Sequence, residues 1–324
     1  HLDLADTFLY QGKYREALEE AEKAIALSPG TALNYLCKGN VYIYQGDLAR
    51  AAEEFRNLLK LKDPMAQGYH LYEAITLAIL QGKFKEAGAL AGRAVQALEK
   101  LNAKEIANGF RLLSAYSLWK SGHAAESVQE YKKILDIAKA IDSTNWTRVA
   151  LHRKGLAYCA LNLPEEARRT AEELSVLVKQ GLNQKEMARV DHLLGAIELQ
   201  KGNTRAAIDY LRKAVSQLPH EYSFTSDEQA IYFEPLAAAC YKSGDLDKAR
   251  EEYEKIAALT TGRHVFGDIY ARSFYWLGRI YEQQGKKAKA AENYRKFLDL
   301  WAEADPGRPE VPDANKRLAA LSGI

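Results

Sequence analysis

The chain has 324 residues, 45 lysines and arginines against 43 aspartates and glutamates, and a formal net charge of +2. That balance offers no strongly basic face for nucleic acid, and no run of 18 apolar residues exists to span a membrane. An apolar fraction of 47% with 27% charged residues is ordinary for a globular chain.

Taken in order, the elements repeat one arrangement. Residues 1–30 carry two apolar-periodic stretches around Gly12, and 31–66 carry two around Gly46. The pattern continues through 67–103 (Gly82), 104–145 (Gly122), 146–181 (Asn162), 182–222 (Gly202), 223–262 (Gly244) and 263–306 (Gly285). Anchor spacing grows from 34 to 36 and then to 40–42 residues. Self-similarity at such a period marks an array in which each unit buries its apolar face on its neighbour.

The offsets predict the local structure. Five residues after each anchor stands a small residue: Ala17, Ala51, Ala87, Ser127, Ala167, Ala207, Ala249 or Ala290. Seven before stands glycine or alanine, with Ile75 the exception. Ala249, Tyr253 and Ile256 trace one helical stripe, and Gly278 and Tyr281 share another. Two amphipathic helices therefore flank a tight turn and pack antiparallel. The anchor glycine is predicted to be the left-handed residue ending the first helix. Asparagine tolerates that conformation, and Pro164 suits the next helix's first turn. A phosphate-binding loop is excluded, because no Gly-Lys-Ser/Thr closes the motif.

At the far end Pro306, Pro309 and Pro312 break the helical pattern, and Asp313 is expected to cap a last helix, ANKRLAAL. That helix, in 307–324, is expected to cover the open end of the array. At the near end only about eleven residues precede Gly12, so the first helix reads as clipped and the chain as a piece of a longer protein.

FYWLGRIYEQQGKKAKAAENYRKFLDL resembles a tetratricopeptide repeat, and LSP at 27–29 and QLP at 217–219 resemble that family's repeat endings. The resemblance covers the whole chain. It implies an all-α, right-handed superhelical solenoid of eight helix-turn-helix repeats over 1–306, with a capping helix after it. The longer repeats are similar to those of the kinesin light chain and of bacterial regulators with ligand-responsive arrays. The C-terminal stretch resembles the ends of arrays that follow kinase, cyclase or DNA-binding domains in bacterial signalling proteins.

Little in the sequence suggests chemistry. The seven histidines (His1, His70, His123, His152, His192, His220 and His264) form no H-E-x-x-H, and neither C-x-x-C nor G-x-S-x-G occurs. His152 and His192 both stand ten before their anchors, with Cys159 on the same face as His152, so a two-His, one-Cys cluster is geometrically conceivable. Nothing supplies a fourth zinc ligand, and the expectation is no metal, no cofactor and no catalytic residue. Paired carboxylates such as Glu19/Glu20 and Glu251/Glu252 read as solvated charges. Three cysteines, Cys37, Cys159 and Cys240, favour a reducing, cytoplasmic setting.

In a superhelix of this family the first helices line the concave side. The groove is then expected to present Asn40, Tyr44, Tyr72, Thr76, Tyr116, Trp119, His152, His192, Tyr241, Lys242, Tyr275 and Arg279. Tyrosine and tryptophan are favoured interface anchors, and Tyr44, Tyr72, Tyr116 and Trp119 would form an aromatic strip. The chaperone carboxylate-clamp type is not expected. Asn40 matches one of its asparagines, but Leu2, Asp6, Leu36 and Tyr72 stand where other clamp residues belong. The expected function is a non-catalytic scaffold that binds a protein or peptide, with neither nucleic acid nor membrane as partner. The rival is a ligand-responsive regulatory module acting on an upstream domain of the same chain.

Overall fold

The computed structural model describes residues 1–63, 65–181, 183–218, 228–260 and 263–322. Pro219, His220 and the expected repeat boundaries at 222 and 262 lie outside them. Among the described residues there are seventeen α-helices and no strand. The chain divides into two compact units, His1–Ala78 and Ile79–Ile324. The first holds α1 (Leu2–Tyr10), α2 (Tyr14–Leu27), α3 (Ala32–Gln45), α4 (Leu48–Asn57) and most of α5 (Ala66–Leu80). The second opens with α6 (Phe84–Lys100), α7 (Lys104–Lys120), α8 (Ala124–Ala140), α9 (Thr144–Ala160), α10 (Pro164–Gln180) and α11 (Met187–Gln200). It continues with α12 (Thr204–Ser216), α13 (Gln229–Lys242), α14 (Leu246–Ala258), α15 (Gly267–Gln283), α16 (Lys287–Leu300) and α17 (Glu310–Ser322).

All eight anchors are left-handed, from Gly12 at φ 70° to Gly285 at φ 73°, and Asn162 joins them at φ 58°. Pro164 opens α10. Two more left-handed residues, Asn102 and Asp142, end α6 and α8. They turn the chain between repeats with the same geometry the anchors use within them.

The eight small residues five after the anchors are all 0% exposed. The glycines seven before are holes for specific knobs. A Cβ on Gly39 would lie 2.3 Å from the Phe55 ring, one on Gly195 2.5 Å from Leu211, and one on Gly278 2.6 Å from Tyr294. Each knob stands nine after its own anchor. Gly155 departs from this, because its hole takes Leu193 from the next first helix, at 2.3 Å. The bulk is conserved while its source changes, as close packing requires.

Two expectations need correction. Asp313 does not cap the last helix, since α17 begins at Glu310. Pro312 is tolerated there because first-turn N–H groups lack intrahelical partners. Asp313 Oδ2 instead accepts from Tyr275 Oη at 2.7 Å and Arg317 Nε at 2.7 Å. Glu20 is not solvated: it is 8% exposed and pairs with His1 and Lys23.

Candidate functional site

In the second unit α9 touches α7 and α11, and α13 touches α11 and α15, while the second helices of successive repeats make no comparable contact. The first helices therefore lie closest together and form the inner side. The chain turns far enough for α15 to reach α7. Tyr116 Oη on α7 donates to Asp268 Oδ1 at 2.7 Å, and Lys120 Nζ lies 3.3 Å from Asp268 Oδ2. Phe266 packs edge-on to Tyr116 with ring centroids 5.1 Å apart. Asp268 is 0% exposed, so it depends on these partners and on its place in the first turn of α15, where negative charge is favoured. Gly267 permits the approach, since a Cβ there would lie 2.7 Å from Leu80 Cβ.

Beside this crossing, His152 on α9, His192 on α11 and Tyr232 on α13 form a cluster of rings, in which His152 and Tyr232 stack with centroids 5.7 Å apart and His192 lies tilted against both. His152 Nε2 and His192 Nδ1 are 2.8 Å apart, and the His192 and Tyr232 centroids 4.6 Å apart. Both histidines are buried. Burial and Arg153 hold His192 down at about 3, while burial and His192 hold His152 well below its ordinary value. The pair is therefore neutral near pH 7, with one proton shared across the contact. Pro235 sits inside α13 and has no N–H for the carbonyl four residues earlier, that of Ile231.

The charges around this cluster are matched. Glu228 takes Arg153 Nη2 at 2.9 Å and Arg189 Nη1 at 2.7 Å, and Arg189 Nε reaches Glu186 at 2.8 Å. Burial alone would raise the Glu228 pKa, but Arg189 and Arg153 bring it down to about 2. Glu228, Arg189 and Tyr232 also line a cavity of about 270 Å³, with the amides of Asn145, Asn183, Gln217 and Gln229. Among the described residues no three His, Cys, Asp or Glu side chains are grouped to hold a metal ion. The Cys159 thiol is pushed up to about 12 by burial, which suits neither ligation nor nucleophilic attack at neutral pH.

Paired antiparallel helices with left-handed turns at every anchor agree with the comparisons. Tetratricopeptide repeat patterns match residues 2–36, 38–102, 182–217 and 227–303. The chain is a tetratricopeptide repeat protein. Repeats of this family are a non-catalytic scaffold and generally bind other proteins. Among solved structures, the apo form of RapI is 14% identical over 87% of this chain and 99% of its own, with a TM-score of 0.52. A tetratricopeptide repeat protein from Parabacteroides merdae is 18% identical over 90% and 98%, with a TM-score of 0.48. These likenesses concern the fold. No curated protein matches the chain.

Burial corrects the expected groove of this tetratricopeptide array. Tyr44, Thr76, Tyr116, His152, His192 and Tyr275 are all less than 9% exposed and are covered by the chain itself. Thr76 is bonded to Glu73, and Tyr275 to Asp313. Asn40 and Tyr72 in the first unit, and Trp119, Tyr241 and Arg279 in the second, are half-buried, and Lys242 is exposed. Trp276, absent from the expected set, joins Tyr241 (centroids 5.2 Å apart) and lies beneath the Arg279 guanidinium at 5.9 Å. Its place nine before Gly285, beside Tyr275, was the available signal. Arg153, Arg189 and Asp268 were missed for another reason: a charged residue in a mixed-sign sequence reads as a solvated face until its partners are known.

Proposed function

We propose that this array is a protein–protein interaction scaffold that docks a segment of a partner on the inner side of its second unit and catalyses no reaction. The reading rests on the half-buried cluster of Tyr241, Trp276 and Arg279 beside exposed Lys242. Tyrosine, tryptophan and arginine are the side chains in which binding energy concentrates, because they bury much area for little conformational entropy. A helix or peptide carrying an apolar side chain and an acidic neighbour fits that surface. Three unpaired thiols suit a reducing, cytoplasmic setting, and no helix of the described residues is long and apolar enough to cross a membrane. The near-neutral charge argues for a protein partner over nucleic acid.

The test is a pull-down with the wild-type chain beside Tyr241→Ala/Trp276→Ala, the variant checked for unchanged helicity. A protein retained by the first and weakened at least tenfold in the second supports the docking reading. Equal retention by both removes this surface from consideration.

A second reading is favoured by the amide- and ion-lined cavity of about 270 Å³. It is large enough for a small polar ligand. On that reading the array is a ligand-responsive regulatory module acting on a further domain of its chain or of a signalling partner. Saturable binding of a small metabolite that Asn145→Ala/Gln229→Ala abolishes would distinguish it from docking.

A further inference from the structure

We propose that the second unit is a gated ring whose seam, Leu80–Lys85 and Lys120 against residues 301–308, opens as one piece to admit water or a partner to the inner face. This goes beyond the docking surface at Tyr241 and Trp276 and does not depend on it.

The seam joins parts of the chain 220 residues apart. Trp301, 2% exposed, donates its indole N–H to the Leu80 carbonyl at 3.1 Å and meets Phe84 edge-on at 6.3 Å. Asp305 clasps one turn from both sides: its N–H donates to the Gly82 carbonyl at 3.1 Å, and its Oδ2 accepts from the Lys85 N–H at 3.0 Å. Lys83, at the N-terminus of α6, provides no side-chain cap, so Asp305 supplies that helix's cap from across the seam. Arg308 Nη1 donates to the carbonyl of Lys120, the last residue of α7, at 2.7 Å, and its guanidinium lies 4.6 Å over Phe84. Lys83 pairs with Glu303 at the edge.

Two features point to a joint that opens. The clasping segment has no regular structure between Trp301 and α17, and it contains Pro306, Pro309 and a left-handed Gly307. It is held by one buried aromatic and by polar contacts that water can replace. Behind it the interior is not apolar. It buries Asp268, Arg153 and both paired histidines. Arg153 Nε and Nη1 meet no hydrogen-bond acceptor among the described residues. A buried donor without an acceptor costs free energy while the ring is shut. Opening removes that cost, which offsets part of what the seam loses.

The measurement is zero-length carbodiimide coupling of Lys83 to Glu303, quantified by mass spectrometry, together with amide exchange across the unit. The variants are Asp305→Ala/Arg308→Ala, which removes the side-chain acceptor for the Lys85 N–H and the donor to the Lys120 carbonyl, and, separately, Trp301→Ala. The local Lys255–Glu252 pair is the internal coupling control. In a folded Asp305→Ala/Arg308→Ala protein we expect Lys83–Glu303 coupling to fall at least fivefold. Exchange at the facing ends of α6, α7 and α15 should rise at least tenfold, with α10 to α12 unchanged. Unchanged coupling and exchange in that variant would overturn the gate, since the seam would then be a fixed part of the core. A rise in exchange spread evenly over the unit, in either variant, would overturn it as well, because the seam would then open only by global unfolding.

Discussion

Single residues set the spacing of the helices. Adding a Cβ at Gly278 drives it to 2.6 Å from the Tyr294 ring. Tyr294 cannot easily yield, because it is 0% exposed and its hydroxyl donates to Glu282 at 2.7 Å. Gly278→Ala gains about 1 kcal/mol of helix propensity and loses about 1–3 kcal/mol to overpacking. Chemical denaturation should therefore show a net loss. Gly109→Ala in α7 meets nothing within 4 Å and should instead stabilise, by about 1 kcal/mol at most. If both variants shift in the same direction, the holes do not set the packing. The paired histidines carry a pH prediction. Their folded pKa values lie below the ordinary 6.5, at about 3 for His192. Below pH 6.5 the unfolded chain binds protons that the folded chain refuses, so stability is full above that pH and falls as pH drops towards 3. Each histidine removes up to roughly 1.4 kcal/mol per pH unit in that window. Thermal melts from pH 7.5 to 4.5 should show it, and His192→Gln should flatten the slope. An unchanged slope in that variant would move the acid sensitivity elsewhere.

At the scale of elements, the seam inside each repeat is the unit of stability. Ala249 on α14 is 0% exposed and stands four before Tyr253 and seven before Ile256 on one buried stripe. Ala249→Trp has no free volume to enter and should cost roughly 1–3 kcal/mol, read as a lower midpoint in urea. A midpoint equal to wild type would mean that the stripe is misassigned. The last helix illustrates how an element acquires work beyond covering an end. Glu310, Asp313 and Arg317 on α17 bind Arg272, Tyr275 and Glu282 of α15. Burial works against the charge of Arg272, but Glu234 and Glu310 outweigh it and raise its pKa.

Across the whole molecule, contacts distant in sequence are unevenly placed. The second unit is tied by Tyr116 to Asp268, 152 residues apart, and by Trp301 to Leu80, 221 apart. In the first unit the Ala32 N–H donates to Asp63 Oδ2, 31 residues away. Repeat arrays unfold in segments according to neighbour contacts. Amides of α1 to α4 are therefore expected to exchange faster than the interior amides of α9, α11 and α13. Equal protection across both units would show that the seam adds nothing to the array's cooperativity.

The sequence by itself determined the repeat class, the eight left-handed turns and the small residues of the inter-helix seams. Each of these is set by neighbours within about a dozen residues, so helical periodicity and backbone sterics leave a regular trace in the chain. Glycine and asparagine appear where φ must be positive, and alanine or serine where two backbones approach. Only the tertiary structure decided which inner-face residues remain accessible. Tyr116 and His152 carry the same periodic signal as half-buried Tyr241, and their burial depends on how far the second unit turns before α15 meets α7. That turn is the sum of small angles over several repeats. The pairs of Asp268 with Lys120 and of Glu228 with Arg153 and Arg189 depend on it too, because these charges meet one or more repeats apart, where no local pattern records the pairing.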